Sequence, residues 1–230
     1  MNKTLFTLTF FTLFVTSGLS QINIIDELSL PDLETSIEFY ANIDVAEEVK
    51  VYYSLHASDT GQEVMAELTP KDVEQFISSI EKTRFLYDKW SQVVNQEKYT
   101  RLVKRMHTSF QRQKIYFSKG GKWYCQKGVN MHSKFYVDAS GKCYLIIYSD
   151  YMTSSETVAE SFGFELTSVR GFMGFSNSIS RITKQIYCSG SSIMLGSVEE
   201  INLFIDKLRA IVKWKEDNVE AGRHIRRVQQ

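Results

Sequence analysis

Two segments of the chain carry apolar side chains at spacings of three and four residues, which places those side chains on one face of a helix. The first segment predicts a helix from about Pro70 to about Gln96, with Thr69 as its N-cap and Asp72 in its first turn. Its apolar stripe consists of Val73, Phe76, Ile77, Ile80, Tyr87, Trp90 and Val94. A helix with such a stripe needs another element to cover it.

The second segment predicts a helix that begins after Ser197, where Ser197 and Glu200 have the Ser-x-x-Glu spacing of a capping box. Its stripe consists of Ile201, Phe204, Ile205, Leu208, Ile211 and Val212. The stripe ends near Lys215, and residues 221–230 are expected to be a frayed C-terminal tail. The two helix starts share one pattern at a constant offset. Either an internal duplication or the common features of capped amphipathic helices explains this, so two pseudo-repeats stay open.

Between the two helices, short β-prone runs alternate with turn residues. Gly120-Gly121 and Asp138 to Gly141 are turn sequences that close tight hairpins. The runs that they join are 114–118 with 122–125, and 134–137 with 143–148. Further strands are predicted at Ser36–Tyr40, Val49–Leu55, Phe162–Thr167, Gln185–Cys188 and Ser192–Leu195.

These elements predict an α+β fold. Hairpin-sized turns imply antiparallel pairing, because a parallel crossover needs about a dozen residues or more. A sheet with one apolar face has to cover that face, and two amphipathic helices are available for it. We therefore expect an antiparallel β-sheet with both helices packed on one face. No Pro-rich or Ser/Gly linker divides the chain, so residues 21–220 are expected to form a single domain.

The N-terminal residues 1–20 have the pattern of a secretory signal peptide. A short basic start precedes a mainly apolar run from Leu5 to Val15, and the small residues Gly18 and Ser20 precede the expected cut. The alternative, a membrane anchor, needs about 20 apolar residues to cross a bilayer, and this run is shorter. We expect cleavage near Ser20/Gln21, export to the periplasm or out of the cell, and a mature chain without a transmembrane span.

Three cysteines, Cys125, Cys143 and Cys188, remain after that cleavage. In an oxidising compartment an odd number allows at most one internal bridge. Burial as free thiols is the preferred interpretation, with one disulfide as the alternative. The sequence has no Cys-x-x-Cys pair and no Cys/His cluster at zinc-ligand spacing, so no metal site is predicted.

The sequence contains no recognisable catalytic motif. It lacks the Gly-x-Ser-x-Gly pattern of hydrolases and both glycine-rich phosphate-binding patterns, so no catalytic residue and no cofactor are assigned. Its histidines, His56, His107, His132 and His224, form no metal-binding pair in the sequence. Paired carboxylates carry no sequence signature. A hydrolase that acts on envelope polymers through two acids therefore stays open as the alternative.

The zero net charge conceals an uneven distribution. From Asp26 to Glu97 there are sixteen acidic and five basic residues, whereas from Lys98 to Val137 there are ten basic residues and no acidic one. The ten are Lys98, Arg101, Lys104, Arg105, Arg112, Lys114, Lys119, Lys122, Lys127 and Lys134. Either this stretch presents a positive surface to an anionic partner, or the two segments lie side by side and cancel.

Two groups of residues are candidates for binding. The residues expected to bind an anion or a partner are Arg101, Lys104, Arg105, Arg112, Lys114 and Trp123. The first three have helical spacing just beyond the first helix, where positive charge also stabilises a helix C-terminus. A possible apolar binding loop contains Phe172, Met173 and Phe175, with burial in the core as the alternative.

The missing catalytic motifs and the basic, aromatic-rich middle together predict a function in binding. We expect an exported, non-enzymatic binding or accessory module, a composition that suits a bacterial envelope protein. Its expected partner is a protein, an anionic polysaccharide or a lipid headgroup. Nucleic acid is not expected, because export removes the chain from it.

Overall fold

The computed structural model describes the backbone of residues 22–43, 49–169 and 172–228, so the expected leader lies outside it. Within those ranges it also describes the side chains, except those at 22–23, 32, 42–43, 49, 70–71, 156–169, 172–183 and 218–228. The strands are β1 (Ile22–Leu30), β2 (Thr35–Ile43), β3 (Val49–Ala57), β4 (Val64–Leu68), β5 (Leu102–Met106), β6 (Gln113–Lys119), β7 (Lys122–Val129), β8 (Met131–Val137), β9 (Cys143–Ser149), β10 (Met152–Val169), β11 (Phe172–Cys188) and β12 (Ser191–Leu195). The helices are α1 (Pro70–Glu97) and α2 (Val198–Val228), and a short 3-10 turn spans Pro31–Leu33.

Ten of these strands form one antiparallel sheet. Its central path runs β5-β8-β9-β12-β3-β4-β6-β7, and β2, with β1 beside it, pairs with the first residues of β3. The last residues of β3, His56 and Ala57, pair instead with β12. Strand β3 therefore joins the two halves of the sheet. The remaining strands, β10 and β11, form a two-stranded ribbon of their own.

The large sheet cannot be flat. Five strands separate β8 from β7 along the path, which in a flat sheet would place these strands roughly 29 Å apart. Yet a single residue, Asn130, links the end of β7 to the start of β8, and one residue spans only about 7 Å. The sheet therefore has to curve strongly enough to bring β7 and β8 together at Asn130. Both strands come from the basic middle of the chain.

One face of the sheet is apolar, and both helices cover it. In β8, residues 131, 133, 135 and 137 are buried, and the residues between them are partly exposed. Across the core, the Tyr53 ring packs against Phe76 of α1 and Phe204 of α2, with ring centroids 5.9 and 6.0 Å away. The predicted α+β fold, with an antiparallel sheet and two helices on one face, is confirmed.

Both helix starts lie where the sequence predicts them, but their caps differ. At α2, the Ser197 hydroxyl accepts a bond from the Glu200 amide (3.0 Å), and the Glu200 carboxylate accepts one from the Gly196 amide (2.6 Å). At α1, the Thr69 hydroxyl donates to the Asp72 carboxylate and makes no cap bond to the backbone. The capping box of α2 is therefore confirmed in its main bond. Thr69 occupies the N-cap position, but its hydroxyl does not make the expected hydrogen bond to the backbone of α1.

The turns between strands follow the glycine pattern. Gly120 and Gly121 have φ angles of 60° and 75°, as the tight turn between β6 and β7 requires. All the predicted strands lie within observed strands, whereas β1, β4 and β5 were not predicted. The backbone of α2 continues to Val228, beyond the end near Lys215 that its apolar stripe predicts.

The helical interpretation of Arg101, Lys104 and Arg105 is wrong. Helix α1 ends at Glu97, and Lys98 and Arg101 both adopt positive φ angles (57° and 54°) that turn the chain. Lys104 and Arg105 then lie in β5, where they point to opposite faces of the sheet. Helix-dipole stabilisation therefore does not explain these three basic residues.

The two halves of the chain are alike only near the helices. Each helix follows directly on a central strand: α1 begins two residues after β4, and α2 begins three residues after β12. The preceding elements differ, because a short turn links β3 to β4, whereas the long β10–β11 ribbon separates β9 from β12. The structural similarity of the two halves is thus limited to a strand and its helix.

All three cysteines are free thiols. Cys143 and Cys188 are buried, as the preferred interpretation expects, whereas Cys125 is exposed on β7. Burial raises the pKa of the Cys143 thiol, so this thiol stays protonated and unreactive at neutral pH.

Tyr87 joins one helix to the ends of two strands. Its buried hydroxyl donates a shared proton to the carbonyl oxygens of Cys143 (3.1 Å) and Gly196 (2.8 Å). Its ring packs against Phe135 of β8, with the centroids 5.8 Å apart. Burial also raises the pKa of the Tyr87 phenol, so the proton stays available for donation.

Replacing Tyr87 with phenylalanine should destabilise the fold. The change Tyr87→Phe keeps the ring but removes the donor, and we expect the free energy of unfolding to fall by about 1–2 kcal/mol. Urea denaturation followed by fluorescence measures this loss. The matched control is Tyr151→Phe, because Tyr151 is 52% exposed. Equal stability of Tyr87→Phe and the wild type would show that these bonds contribute nothing.

Candidate functional site

The described side chains show how far the acidic and basic segments of the chain neutralise each other. One ion pair among those described crosses between them, from Lys114 on β6 to Glu67 on β4, with Nζ 2.6 Å from Oε2. Within the described part of the chain, Arg101, Arg105 and Arg112 take part in no ion pair. These three arginines therefore keep their charge available, and among the described side chains the interpretation in which the segments cancel holds for Lys114.

Most of the six candidate residues are dispersed over the fold. Arg101 lies in the turn before β5, where its amide donates to the Asp138 carbonyl (3.0 Å). Lys104 lies on the helix side of β5, with its Nζ 4.1 Å from the centre of the Trp90 ring. Lys114 is held by Glu67, and Trp123 lies on β7 near the other end of the strand path. These four residues do not form one surface.

Arg105 belongs to a concentrated basic group. It lies directly opposite Lys134 in the antiparallel pairing of β5 with β8, on the face of the sheet that the helices leave open. The Lys134 Nζ lies 5.1 Å from the centre of the Tyr148 ring, and the His132 ring packs on the same tyrosine at 5.5 Å. Lys134 and His132 thus lie against one aromatic ring, and Arg105 lies directly across from Lys134.

A shallow cavity of about 270 Å³ opens beside this group. It is lined by Arg105, Met106, His107, Thr108, Ser109, His132, Ser133 and Tyr148. None of these residues is acidic. The Ser133 side chain is fully buried, and its hydroxyl has no hydrogen-bond partner among the described residues. We call Arg105, His107, His132, Lys134 and Tyr148 the β5–β8 site; the Ser133 side chain faces the helices instead.

A chain of hydrogen bonds fixes the rim of the β5–β8 site. Asp150 accepts bonds from His132 Nε2 (2.9 Å) and from the Asn130 side-chain amide (2.9 Å). The Asn130 side-chain oxygen in turn accepts a bond from Arg112 Nε (3.2 Å). The predicted residue Arg112 therefore reaches the site through Asn130, the residue at which β7 meets β8. These bonds orient His132 and hold a second guanidinium close by.

A second, more apolar cavity of about 520 Å³ adjoins the first. It is lined by Lys82, Phe85, Leu86, His107, Thr108 and Ser109, so the segment 107–109 separates the two. Phe85 is 70% exposed, the highest value among the large apolar side chains of the described residues. A basic cavity and an apolar cavity thus lie side by side next to β5.

The predicted apolar loop belongs to a strand. The backbone at Phe172, Met173 and Phe175 lies in β11 and pairs with Val169, Ser168 and Leu166 of β10. The side chains of these residues lie outside the described residues. Their binding role therefore stays a prediction.

The carboxyl groups with shifted pKa values do not resemble a catalytic pair. A hydrogen bond from Ser140 lowers the pKa of Asp138, and bonds from Ser189 lower that of Asp59. The pKa of Asp26 is also lowered: burial opposes the shift, but Lys207, with Nζ 2.5 Å from Oδ1, outweighs it. A general acid needs a raised pKa instead. The described residues therefore give the hydrolase alternative no support.

Comparisons with models of protein families, with curated proteins and with solved structures find no match to this chain. The chemistry of the site thus has to be inferred from its own geometry. In the described ranges, no three His, Cys, Asp or Glu side chains come together as metal ligands. No helix in those ranges is long and apolar enough to cross a membrane.

Sequence reasoning found Arg105 and Arg112 but missed the remainder of the site. His132, Lys134 and Tyr136 alternate along one strand with buried residues, which places their side chains on the open face of the sheet. That alternation is visible in the sequence and is a usable signal. The pairing of Arg105 with Lys134 is not visible, because it depends on β5, which the sequence did not predict as a strand.

Substitutions of Lys114 and Arg105 should differ in their effect on the free energy of unfolding. The Glu67 side chain is only 11% exposed, so the change Lys114→Ala leaves a largely buried carboxylate with one remaining partner, Tyr116. We expect this change to lower the free energy of unfolding by about 1–2 kcal/mol. The change Arg105→Ala should stay within about 0.5 kcal/mol of the wild type. Urea denaturation measures both variants, and the opposite order would contradict this division of roles.

Proposed function

We propose that this chain is an exported, non-enzymatic binding protein and that the β5–β8 site takes a negatively charged group of its partner. Carboxylate, sulfate and phosphate groups share the required chemistry. An acidic glycan, an acidic protein segment and a lipid headgroup are all possible sources. The proposal places the leader in residues 1–20 and the binding site in the folded part of the chain.

The pairing of Arg105 with Lys134 carries the proposal. Like charges directly opposite each other on antiparallel strands destabilise a sheet, and no described acidic side chain forms an ion pair with either of them. A bound anion would relieve this repulsion, because it would lie between two cations. This repulsion therefore destabilises the sheet while the site is empty, and an anionic partner removes that destabilisation.

The cavity next to this pair supports the same conclusion. A volume of about 270 Å³ accommodates an anionic group together with the atoms that bear it. The His107 ring adds a further hydrogen-bond donor at the wall.

Reversal of the charge at the site should weaken binding of polyanions. We expect Arg105→Glu and Lys134→Glu each to weaken binding of dextran sulfate at least about tenfold at low salt, because each replaces an attraction by a repulsion. Isothermal titration calorimetry measures the affinity. Binding by the wild type should also weaken steeply as salt rises.

The matched control is Lys213→Glu, an exposed charge reversal on α2 that lines neither cavity. It changes the net charge equally and should change the affinity little. The proposal fails if this control weakens binding as much as Arg105→Glu does. It also fails if the wild type binds equally well at low and high salt.

Export should leave a shortened chain. If residues 1–20 are a signal peptide, protein from the native host begins at or near Gln21. Intact-mass spectrometry of that protein measures the cut. Recovery of the uncut chain, with Met1 or Asn2 at its N-terminus, would refute the proposed export and leave the binding site to be tested separately.

A further inference from the structure

We propose that β5 is a docking edge to which an extended, acidic segment of a protein partner adds as a further strand. This inference rests on the proposed function, because it names the partner class and the binding mode of the β5–β8 site. Strand addition uses the backbone of an exposed sheet edge for affinity and alternate side chains for specificity.

Strand β5 has the free edge that this mode requires. It ends the strand path, and within the described ranges it pairs only with β8. Residues 102 to 105 are exposed, and only Met106 is buried. The backbone N–H and C=O groups on the outer side of β5 thus have no partner strand.

Side chains next to this edge offer both charge and apolar surface. Val103 and Arg105 point to the open face of the sheet, and Leu102 and Lys104 point to the helix face. Leu102 is 37% exposed and Val103 is 62% exposed. Each face of β5 therefore presents one apolar and one basic residue, which matches a partner strand that mixes acidic and apolar side chains.

The apolar cavity extends this surface beyond the end of β5. The segment His107–Ser109, which follows the strand, forms a wall of both cavities. Phe85 lines the cavity on the far side of that wall. A partner segment that runs past Arg105 can therefore bury an apolar side chain against Phe85. Buried aromatic anchors of this kind dominate the energy of protein interfaces.

A second copy of this chain is a poor occupant of the edge. Antiparallel pairing of two β5 strands centred on Lys104 would place the two Lys104 side chains opposite each other. Parallel in-register pairing would align Lys104 with Lys104 and Arg105 with Arg105. Both arrangements bring like charges together and are unfavourable. The same two cations favour an acidic strand.

The other outer strands are less suited to an acidic partner. Strand β1 carries Asp26 and Glu27, which would repel it. Strand β7 lies against the base of the ribbon, where the Thr153 amide donates to the Gln126 side chain (2.6 Å). Of these three edge strands, β5 is the one that has both an outer edge without a partner strand and basic side chains beside it.

The experiment uses the chain from Gln21 onward and two synthetic peptides of about ten residues in which pairs of Val alternate with pairs of Glu, so that each face of the peptide carries both residue types. The second peptide has the same sequence but is N-methylated at every peptide bond, which removes the backbone donors on both of its edges and keeps all charges. We expect N-methylation to weaken binding at least about tenfold, because strand addition depends on backbone hydrogen bonds. Isothermal titration calorimetry measures both affinities.

Hydrogen exchange followed by NMR locates the contact. The unmodified peptide should slow exchange of those β5 amides that point away from β8, whereas dextran sulfate, which supplies only charge, should not. Equal affinity of the two peptides would overturn strand addition and leave anion binding intact. Protection at β1 or β7 instead of β5 would also overturn it. Failure of both the peptides and dextran sulfate to bind would overturn the proposed function as well.

Discussion

The fold depends on one constraint: a large, curved antiparallel sheet has an apolar face, and the two helices in the described part of the chain have to cover it. Tyr53 at the centre of that face contacts both helices through Phe76 and Phe204. Tyr87 then ties α1 to the chain at Cys143 and Gly196, near the start of β9 and the end of β12. Because both helices lie on the same side, neither covers the opposite face of the sheet, and no described strand pairs with the outer edge of β5.

The same curvature assembles the candidate site. A single residue, Asn130, joins β7 to β8, and its side chain connects Arg112 to Asp150. Asp150 accepts a hydrogen bond from His132 of β8. Lys134 lies in the same strand and pairs with Arg105 of the neighbouring strand β5. Basic residues that the sequence distributes over some thirty positions therefore meet near one cavity. The curvature of the sheet, more than the local sequence, brings these basic residues together.

The sequence predicts the parts of the fold that depend on local patterns. The α1 stripe, the Ser197 and Glu200 cap and the Gly120-Gly121 turn each have a short-range physical cause, and each is confirmed. Strand β5 escaped prediction because its short basic run also fits helical spacing, and only the positive φ angles at Lys98 and Arg101 exclude a helix. Long-range strand pairing determines which basic residues are neutralised. Lys114 lies opposite Glu67, whereas Arg105 lies opposite Lys134.

The most direct test of the site follows the histidine ring signals by NMR while dextran sulfate is added to the protein. His107 and His132 line the basic cavity, whereas His56 lies on β3, where its Nε2 is 3.0 Å from the Thr35 hydroxyl. If an anion binds at the β5–β8 site, the signals of His107 and His132 shift together and saturate while that of His56 stays in place. A shift of His56 with His107 and His132 unmoved would contradict the account.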